Sequence, residues 1–328
     1  MKAILVEEGS QDLYIGEAEK PAIGKDELLV KVKASALNRA DLLQKRGLYP
    51  PPEGASTILG LEMSGVIEEV GENVEDWKKG DRICALLPGG GYAEYVTIPA
   101  EMAIPIPDNL SFEEAAAIPE VFLTAYLNMF WLGDLKKDET VLIHAGASGV
   151  GTAAIQLARE VGAKVIVTAG SAKKLELCLS LGADHAIYYK EGPFAPKVKD
   201  ATTGKGVNLI LDFIGAPYWE QNISSLATNG KLILIGTMGG SKVDNVDLGK
   251  LLFKKLQVIG TALRSQPVDK KIALTKAFAD FSLQKFAEGR LKPVIDSIWD
   301  WGEANEAHAY MEQNKNAGKI VLCMNDKE

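Results

Sequence analysis

Thr140-Val-Leu-Ile-His-Ala-Gly-Ala-Ser-Gly-Val-Gly-Thr-Ala-Ala-Ile-Gln-Leu-Ala-Arg159 decides how this chain folds. An apolar run of strand type, read as a strand over 141–145, meets a glycine turn, and the turn opens into a helical pattern over 153–161. Strand, glycine turn and helix in that order present backbone N–H groups and a helix N-terminus to an anionic pyrophosphate. The stretch therefore predicts a dinucleotide-binding α/β unit.

Against the G-x-G-x-x-G fingerprint, the turn reads Gly146, Ala147, Ser148, Gly149, Val150, Gly151. Gly146 suits the tight turn and Gly151 suits close helix–strand packing. The middle glycine is displaced: Ser148 holds its slot and Gly149 follows. The Ser148 hydroxyl is expected to donate either to a phosphate or to a nicotinamide carboxamide.

The end of the next strand bears on coenzyme choice. An enzyme for NAD usually places Asp or Glu about 20 residues past the glycines, on the ribose 2′-OH. Here the chain reads Val167-Thr-Ala-Gly170-Ser171-Ala-Lys173-Lys174, with a hydroxyl and two ammonium groups and no carboxylate. An acid would repel a 2′-phosphate; this segment attracts one. NADPH is the expected cofactor.

Outward from the turn, strand patterns at 164–168, 185–189, 208–213, 231–235 and 256–262 alternate with helical ones such as 173–181. Near-continuous apolar runs such as Leu232-Ile-Leu-Ile235 fit parallel strands covered on both faces. The alternation predicts a doubly wound parallel sheet. Upstream, short strand candidates at 28–34, 65–70, 81–87 and 92–98 are punctuated by Gly71, Gly80, Pro88-Gly-Gly-Gly91 and Pro99, as in a small curled sheet or partial barrel. Ser111-Phe-Glu-Glu114 reads as a capping box, Pro119 as a break, and 124–131 as a helix near a domain boundary. After Arg264 come a helix at 270–288, a strand at 294–298, a helix at 303–314 and a strand at 319–323. By pattern alone this tail either extends the parallel sheet or returns to the first region.

Bulk properties exclude several classes. A net charge of −8 over 328 residues argues against nucleic acid and anionic membrane surfaces as partners. No apolar run approaches the ~20 residues of a membrane-spanning helix. The start, Met1-Lys-Ala-Ile-Leu-Val-Glu-Glu, turns acidic too soon for a signal or transit peptide, so a cytoplasmic location is expected. Cys84, Cys178 and Cys323 lack metal-ligand spacing, and Gly60-Leu61-Glu62 stands where a Gly-His-Glu metal motif would. His144, His185 and His308 are each expected to be structural or solvated. Ser148 lacks the G-x-S-x-G elbow of a serine hydrolase.

With these residues in view, the chain resembles the zinc-free quinone oxidoreductase (zeta-crystallin) branch of the medium-chain dehydrogenases/reductases, essentially end to end. The resemblance is carried by Ala36-Leu-Asn-Arg-Ala-Asp41, Pro50-Pro-Pro-Glu-Gly-Ala-Ser56, Leu59-Gly-Leu-Glu62, Leu86-Leu-Pro-Gly-Gly-Gly91, Ser148-Gly-Val-Gly-Thr-Ala-Ala-Ile-Gln156, Val207-Asn-Leu-Ile-Leu-Asp212 and Asn314-Lys-Asn316. It implies a Rossmann NADPH-binding domain at 121–264, inserted in a GroES-like β-rich catalytic domain made of 1–120 and 265–328. It implies cofactor contacts from Asn38, Tyr49 and Thr124 at the nicotinamide end and from Ser148, Gly149 and Val150 at the pyrophosphate. Gly170, Ser171, Lys174 and Tyr189 would surround the adenosine phosphate, with Gly236, Met238, Leu263 and Asn316 further on. Lys174 and Tyr189 match the NADPH-selecting pair. The implied reaction is transfer from NADPH to a quinone, with Tyr49 and Ser148 as catalytic residues and no metal. Reduction of an alkenal or enone double bond is the alternative, and a non-catalytic NADPH-binding protein a further one. A homodimer is expected, through strand pairing around 256–262.

Overall fold

A computed structural model describes residues 1–324. Its strands are β1 (Lys2–Val6), β2 (Leu13–Glu17), β3 (Glu27–Ala36), β4 (Glu62–Val70), β5 (Arg82–Leu86), β6 (Tyr95–Pro99), β7 (Ile104–Pro105), β8 (Thr140–Ile143), β9 (Lys164–Ala169), β10 (His185–Tyr188), β11 (Val207–Asp212), β12 (Leu226–Leu234), β13 (Gln257–Gly260), β14 (Ile295–Asp300) and β15 (Lys319–Cys323). The chain divides into two compact units: Thr124–Leu263, and Met1–Leu123 together with the chain from Arg264 onward.

In the Thr124–Leu263 unit, six strands form one parallel sheet in the order β10-β9-β8-β11-β12-β13. From β8 the chain winds one way through β9 and β10, then returns to β11 and winds the other way. The reversal between β8 and β11 is a topological switch point, where such sheets bind ligands beyond the carboxyl ends of the strands. Val141, Leu142 and Ile143 of β8 are fully buried because helices cover both faces of the central strand, which explains the unbroken apolar run. Leu142, Ile166, Ile210 and Leu232 share one core with Phe194 and Ile223. The expected doubly wound sheet is present.

Two boundaries near the glycines differ from expectation. The strand ends at Ile143 rather than Ala145, and the helix Gly149–Glu160 starts four residues before the expected 153. Two glycines in its first turn weaken intrinsic propensity. The Ser148 side chain offsets that by accepting the Gly151 N–H as an N-cap, 3.1 Å away. Pro119 breaks the pattern as expected: one helix ends at Ala116, and Pro119 opens the next, Pro119–Tyr126, at its first position, where the missing N–H has no intrahelical role.

In the other unit, β3 pairs antiparallel with β4, β6 and β15, and β14 lies parallel to β15. The sheet runs β14-β15-β3-β4-β5-β7, so the tail strands join the N-terminal strands rather than the parallel sheet. The hairpin of β1 and β2 had no counterpart in the sequence reading. Leu28, Val30, Val32, Met63, Ile67, Ile83, Tyr92, Ile320 and Leu322 form its core. β14 and β15 add Trp299, Ile320 and Leu322 to or against this core, and so bury apolar surface that the N-terminal strands alone would leave in water.

Candidate cofactor and substrate site

The glycine turn leaves β8 at His144 and passes through Ala145, which adopts a left-handed φ of 50°. A Cβ on Gly151 would lie 2.5 Å from the Ala145 carbonyl oxygen and 2.6 Å from that of Gly146. A Cβ on Gly146 would lie 2.7 Å from Cβ of Val167 on β9. Gly151 is thus required by close approach to backbone, and Gly146 by close approach to the Val167 and Cys178 side chains. Ser148 accepts from Gly151, a bond that leaves its hydroxyl proton available to donate. Gly149 and Val150 form the first turn of the helix, whose unpaired N–H groups and dipole favour an anion.

At the end of β9, Ser171 caps the helix Ala172–Ser180 by accepting the Lys174 N–H at 3.3 Å. Lys174 therefore sits in the first turn, beside Gly170. The Tyr189 ring, just past β10, lies against Gly170: a Cβ there would come within 2.7 Å of the phenol oxygen. No carboxylate stands between Val167 and Lys174. Small residues against a phenol, with a lysine in the same turn, suit a 2′-phosphate in charge and in space.

Beneath the turn runs a buried polar chain that the sequence reading did not single out. His144 Nδ1 is 2.9 Å from Thr168 Oγ1, and its Nε2 is 2.7 Å from Asn222 Oδ1. Asn222 donates to Asp212 Oδ2, while Asp212 Oδ1 accepts from the Ile214 and Gly215 N–H groups. Burial pushes His144 down to about 4, so the ring is neutral, and pushes the Asp212 carboxyl up. This chain ties together the carboxyl ends of β8, β9 and β11. Spacing gives no signal for it, because its members come from four separated segments.

In the unit that holds the N-terminus, Asn38 precedes the helix Arg39–Lys45. Asp41 accepts the Asn38 and Gly60 N–H groups at 2.7 and 3.1 Å. Asn38 Nδ2 donates to Glu62 Oε1 at 2.9 Å. Lys319, only 4% exposed, places its ammonium 2.7 Å from Glu62 Oε1, 2.6 Å from the Leu37 carbonyl and 2.8 Å from Asn38 Oδ1. The other Glu62 oxygen accepts the Glu120 N–H. The carboxylate that stands where a metal motif would is therefore committed to a lysine and two N–H donors. Among the described residues, no three His, Cys, Asp or Glu side chains gather as a metal would require.

Tyr49 is half-buried in its Pro-rich loop, under Arg264, whose guanidinium lies 5.2 Å from the ring centroid. Arg264 donates to the Pro88 carbonyl, to Gln44 Oε1 at 2.6 Å and, more weakly, to the Tyr49 carbonyl. It clamps three segments, yet nothing in its local sequence marks it. Burial raises the Tyr49 phenol, against a smaller opposing effect of Arg264, so it stays protonated and able to donate.

The remaining expected residues fall as follows. Thr124 is buried in the helix Pro119–Tyr126, Gly236 and the exposed Met238 follow β12, and Leu263 is buried past β13. Asn316 lies before β15, donating to the Gly318 carbonyl. Gly146, Ser148, Gly149, Val150, Gly170, Ser171, Lys174, Tyr189, Gly236, Met238 and Leu263 thus all follow the carboxyl ends of strands in one parallel sheet. Asn38, Tyr49 and Asn316 belong to the other unit.

A parallel sheet with a glycine turn at its switch point, joined to a mainly antiparallel sheet, defines a medium-chain dehydrogenase/reductase. Residues 24–108 match the alcohol dehydrogenase GroES-like domain, and residues 149–278 match the zinc-binding dehydrogenase family. The acryloyl-coenzyme A reductase of Sulfurisphaera tokodaii is 31% identical over 350 residues, covering 98% of this chain and 99% of that protein. The crystal structure of Escherichia coli quinone oxidoreductase complexed with NADPH superposes with a TM-score of 0.87 at 30% identity, covering 98% of this chain and 99% of that one. The synaptic vesicle membrane protein VAT-1 homolog of Danio rerio is 33% identical over 316 residues, which cover 92% of this chain; the chain spans 65% of that protein's length. The chain belongs to the medium-chain dehydrogenase/reductase family, a family of oxidoreductases.

Proposed function

We propose that this protein uses NADPH to reduce quinones, without a metal ion. The observation that carries the coenzyme reading is the end of β9, where Gly170, Ser171 and Lys174 meet the Tyr189 phenol and no carboxylate intervenes. NADPH bound there supplies a hydride to an acceptor that is already electrophilic, and the chain's own groups bind, orient and exclude water.

Gly149, Val150 and the Ser148 hydroxyl take the pyrophosphate; Gly170, Ser171, Lys174 and Tyr189 take the 2′-phosphate. Asn38, Tyr49 and Thr124 border the nicotinamide, with Gly236, Met238, Leu263 and Asn316 completing the lining. Tyr49, kept protonated by burial, donates a hydrogen bond to the acceptor oxygen as negative charge develops on it. The Ser148 hydroxyl, with a single proton to give, assists there only when it is not donating to the pyrophosphate. The E. coli quinone oxidoreductase, similar over almost the whole chain, supports the quinone as acceptor.

The acryloyl-coenzyme A reductase supports a second reading, reduction of a conjugated double bond by the same residues. Quinones and α,β-unsaturated aldehydes, each assayed with NADPH and NADH, separate the two. Quinone turnover above enal turnover with NADPH is expected, and no NADPH oxidation with any quinone overturns the reading. Tyr49→Phe and Ser148→Val that bind NADPH tightly and change no rate would point to a non-catalytic NADPH-binding role.

A homodimer is part of the same proposal. β13 is the last strand of the parallel sheet, and the helix Leu248–Lys254 just before it exposes Leu248, Leu252 and Phe253, the last at 82%. A two-fold pairing of β13 with its copy would satisfy that strand edge and cover those side chains. Sedimentation equilibrium should give twice the 35.3 kDa chain mass, and Phe253→Glu should give the chain mass; an unchanged dimer in Phe253→Glu removes this surface from consideration.

A further inference from the structure

We propose that Tyr218 is a positioning residue for coenzyme choice: with Gly170 it forms a slot that fixes Tyr189 where the 2′-phosphate binds. This rests on the reading that Lys174 and Tyr189 take that phosphate.

Tyr189 is 41% exposed and sits in a short turn past an edge strand. A phenol so placed is free to swing unless something holds it. Its ring lies across Gly170, where a Cβ would be 2.7 Å from the hydroxyl and 3.1 Å from Cε1 and Cζ. The Tyr218 ring also meets it edge-on, with centroids 6.4 Å apart at 67°. Tyr218 is itself held. Its ring packs against His144 at 4.7 Å and Phe194 at 4.9 Å. His144 is fixed by Thr168 and Asn222, Asn222 is bonded to Asp212, and Asp212 accepts from Gly215 at the start of the turn Ala216–Tyr218. An unbroken series of contacts therefore runs from the sheet to the exposed phenol. Burial pushes the Tyr218 phenol up to about 12, so it adds no negative charge beside a phosphate.

The two coenzymes differ only in the 2′-phosphate, so loosening Tyr189 should weaken NADPH and spare NADH. The test measures dissociation constants of NADPH and NADH by fluorescence titration, and kcat/KM for each with one quinone. Tyr218→Phe, which keeps the ring, should retain the parent preference for NADPH. Tyr218→Leu should lower it about tenfold, the scale of one charge-assisted hydrogen bond, with the NADH constant unchanged. Gly170→Ala, whose Cβ would press on the Tyr189 phenol, should lower the preference to a similar degree. If Tyr218→Leu weakens both coenzymes equally, or neither, Tyr218 has no part in selection and the inference fails. Should Tyr218→Leu not fold, Tyr218→Met fills the space with an unbranched chain and carries the same readout. Lys174→Ala separates the two levels. If it leaves the preference intact, the phosphate reading itself is wrong; if it abolishes the preference while Tyr218→Leu does not, only the slot is wrong.

Discussion

Replacing Lys319 by methionine should be among the most damaging single changes in the unit that contains it. The ammonium is 4% exposed and makes three contacts shorter than 2.9 Å, to Glu62, Leu37 and Asn38. Glu62 is fully buried, so removing the lysine leaves a carboxylate with N–H donors but no counter-charge. Breaking a buried pair from one side costs about 3–5 kcal/mol, a large fraction of a domain's typical stability of about 5–15 kcal/mol. With a urea dependence of about 1–3 kcal/mol per molar, the midpoint should fall by at least about 1 M. Adding Glu62→Gln to Lys319→Met removes the orphaned charge and should recover about 2 kcal/mol or more, read as the coupling in a double-mutant cycle. NADPH affinity should fall as well, because Lys319 anchors Asn38. A single-variant loss under about 1 kcal/mol, or a coupling near zero, would refute the claim that the pair organises this region.

Gly151→Ala should weaken NADPH at least about tenfold by fluorescence titration, since its Cβ would lie 2.5 Å from a backbone oxygen and the turn must open; a constant within twofold of the parent overturns the close-approach account. Arg264→Met should cost about 2–3 kcal/mol in urea and raise KM for the quinone, with Arg264→Lys restoring less than half because an ammonium lacks the planar fork; an unchanged KM would dissociate Arg264 from Tyr49. The stability that His144 and His308 contribute should be lost on acidification between pH 6 and 4. Burial lowers His144 from 6.5 to about 4 and His308 to about 3, so their contribution is fully present above pH 6.5 and is lost as pH falls towards those values. Asp41 is raised from 3.8 to about 6, so its contribution is present below pH 3.8 and lost as pH rises through 6. Asp212, raised as well, acts in the same direction as Asp41, whereas each histidine by itself leaves about one extra proton on the unfolded chain, a slope of about 1.4 kcal/mol per pH unit. His308→Asn should reduce the measured slope by about that amount, and an equal slope in the variant would show that His308 is not the source.

The sequence by itself determined the parallel sheet, the glycine turn and the coenzyme chemistry at the end of β9. These are local signals: an apolar run covered on both faces, glycines where a Cβ would strike backbone or the neighbouring strand's side chains, and a missing acid within one short segment. It did not determine where the helix after the turn begins, because a Ser148 cap outweighs glycine propensity only once its oxygen meets the Gly151 N–H. The pattern of the tail was equally compatible with two sheets, and the pairing of β15 with β3 decided between them. Arg264, Lys319 and Tyr218 carry no motif, since each acquires its role from partners far away in the chain: Arg264 from Gln44 and Pro88, Lys319 from Glu62, Tyr218 from His144 and Tyr189. Hydrophobic period and turn chemistry act between neighbours in sequence, whereas a buried charge or a held ring is defined by what folding brings beside it, and that only the tertiary structure decided.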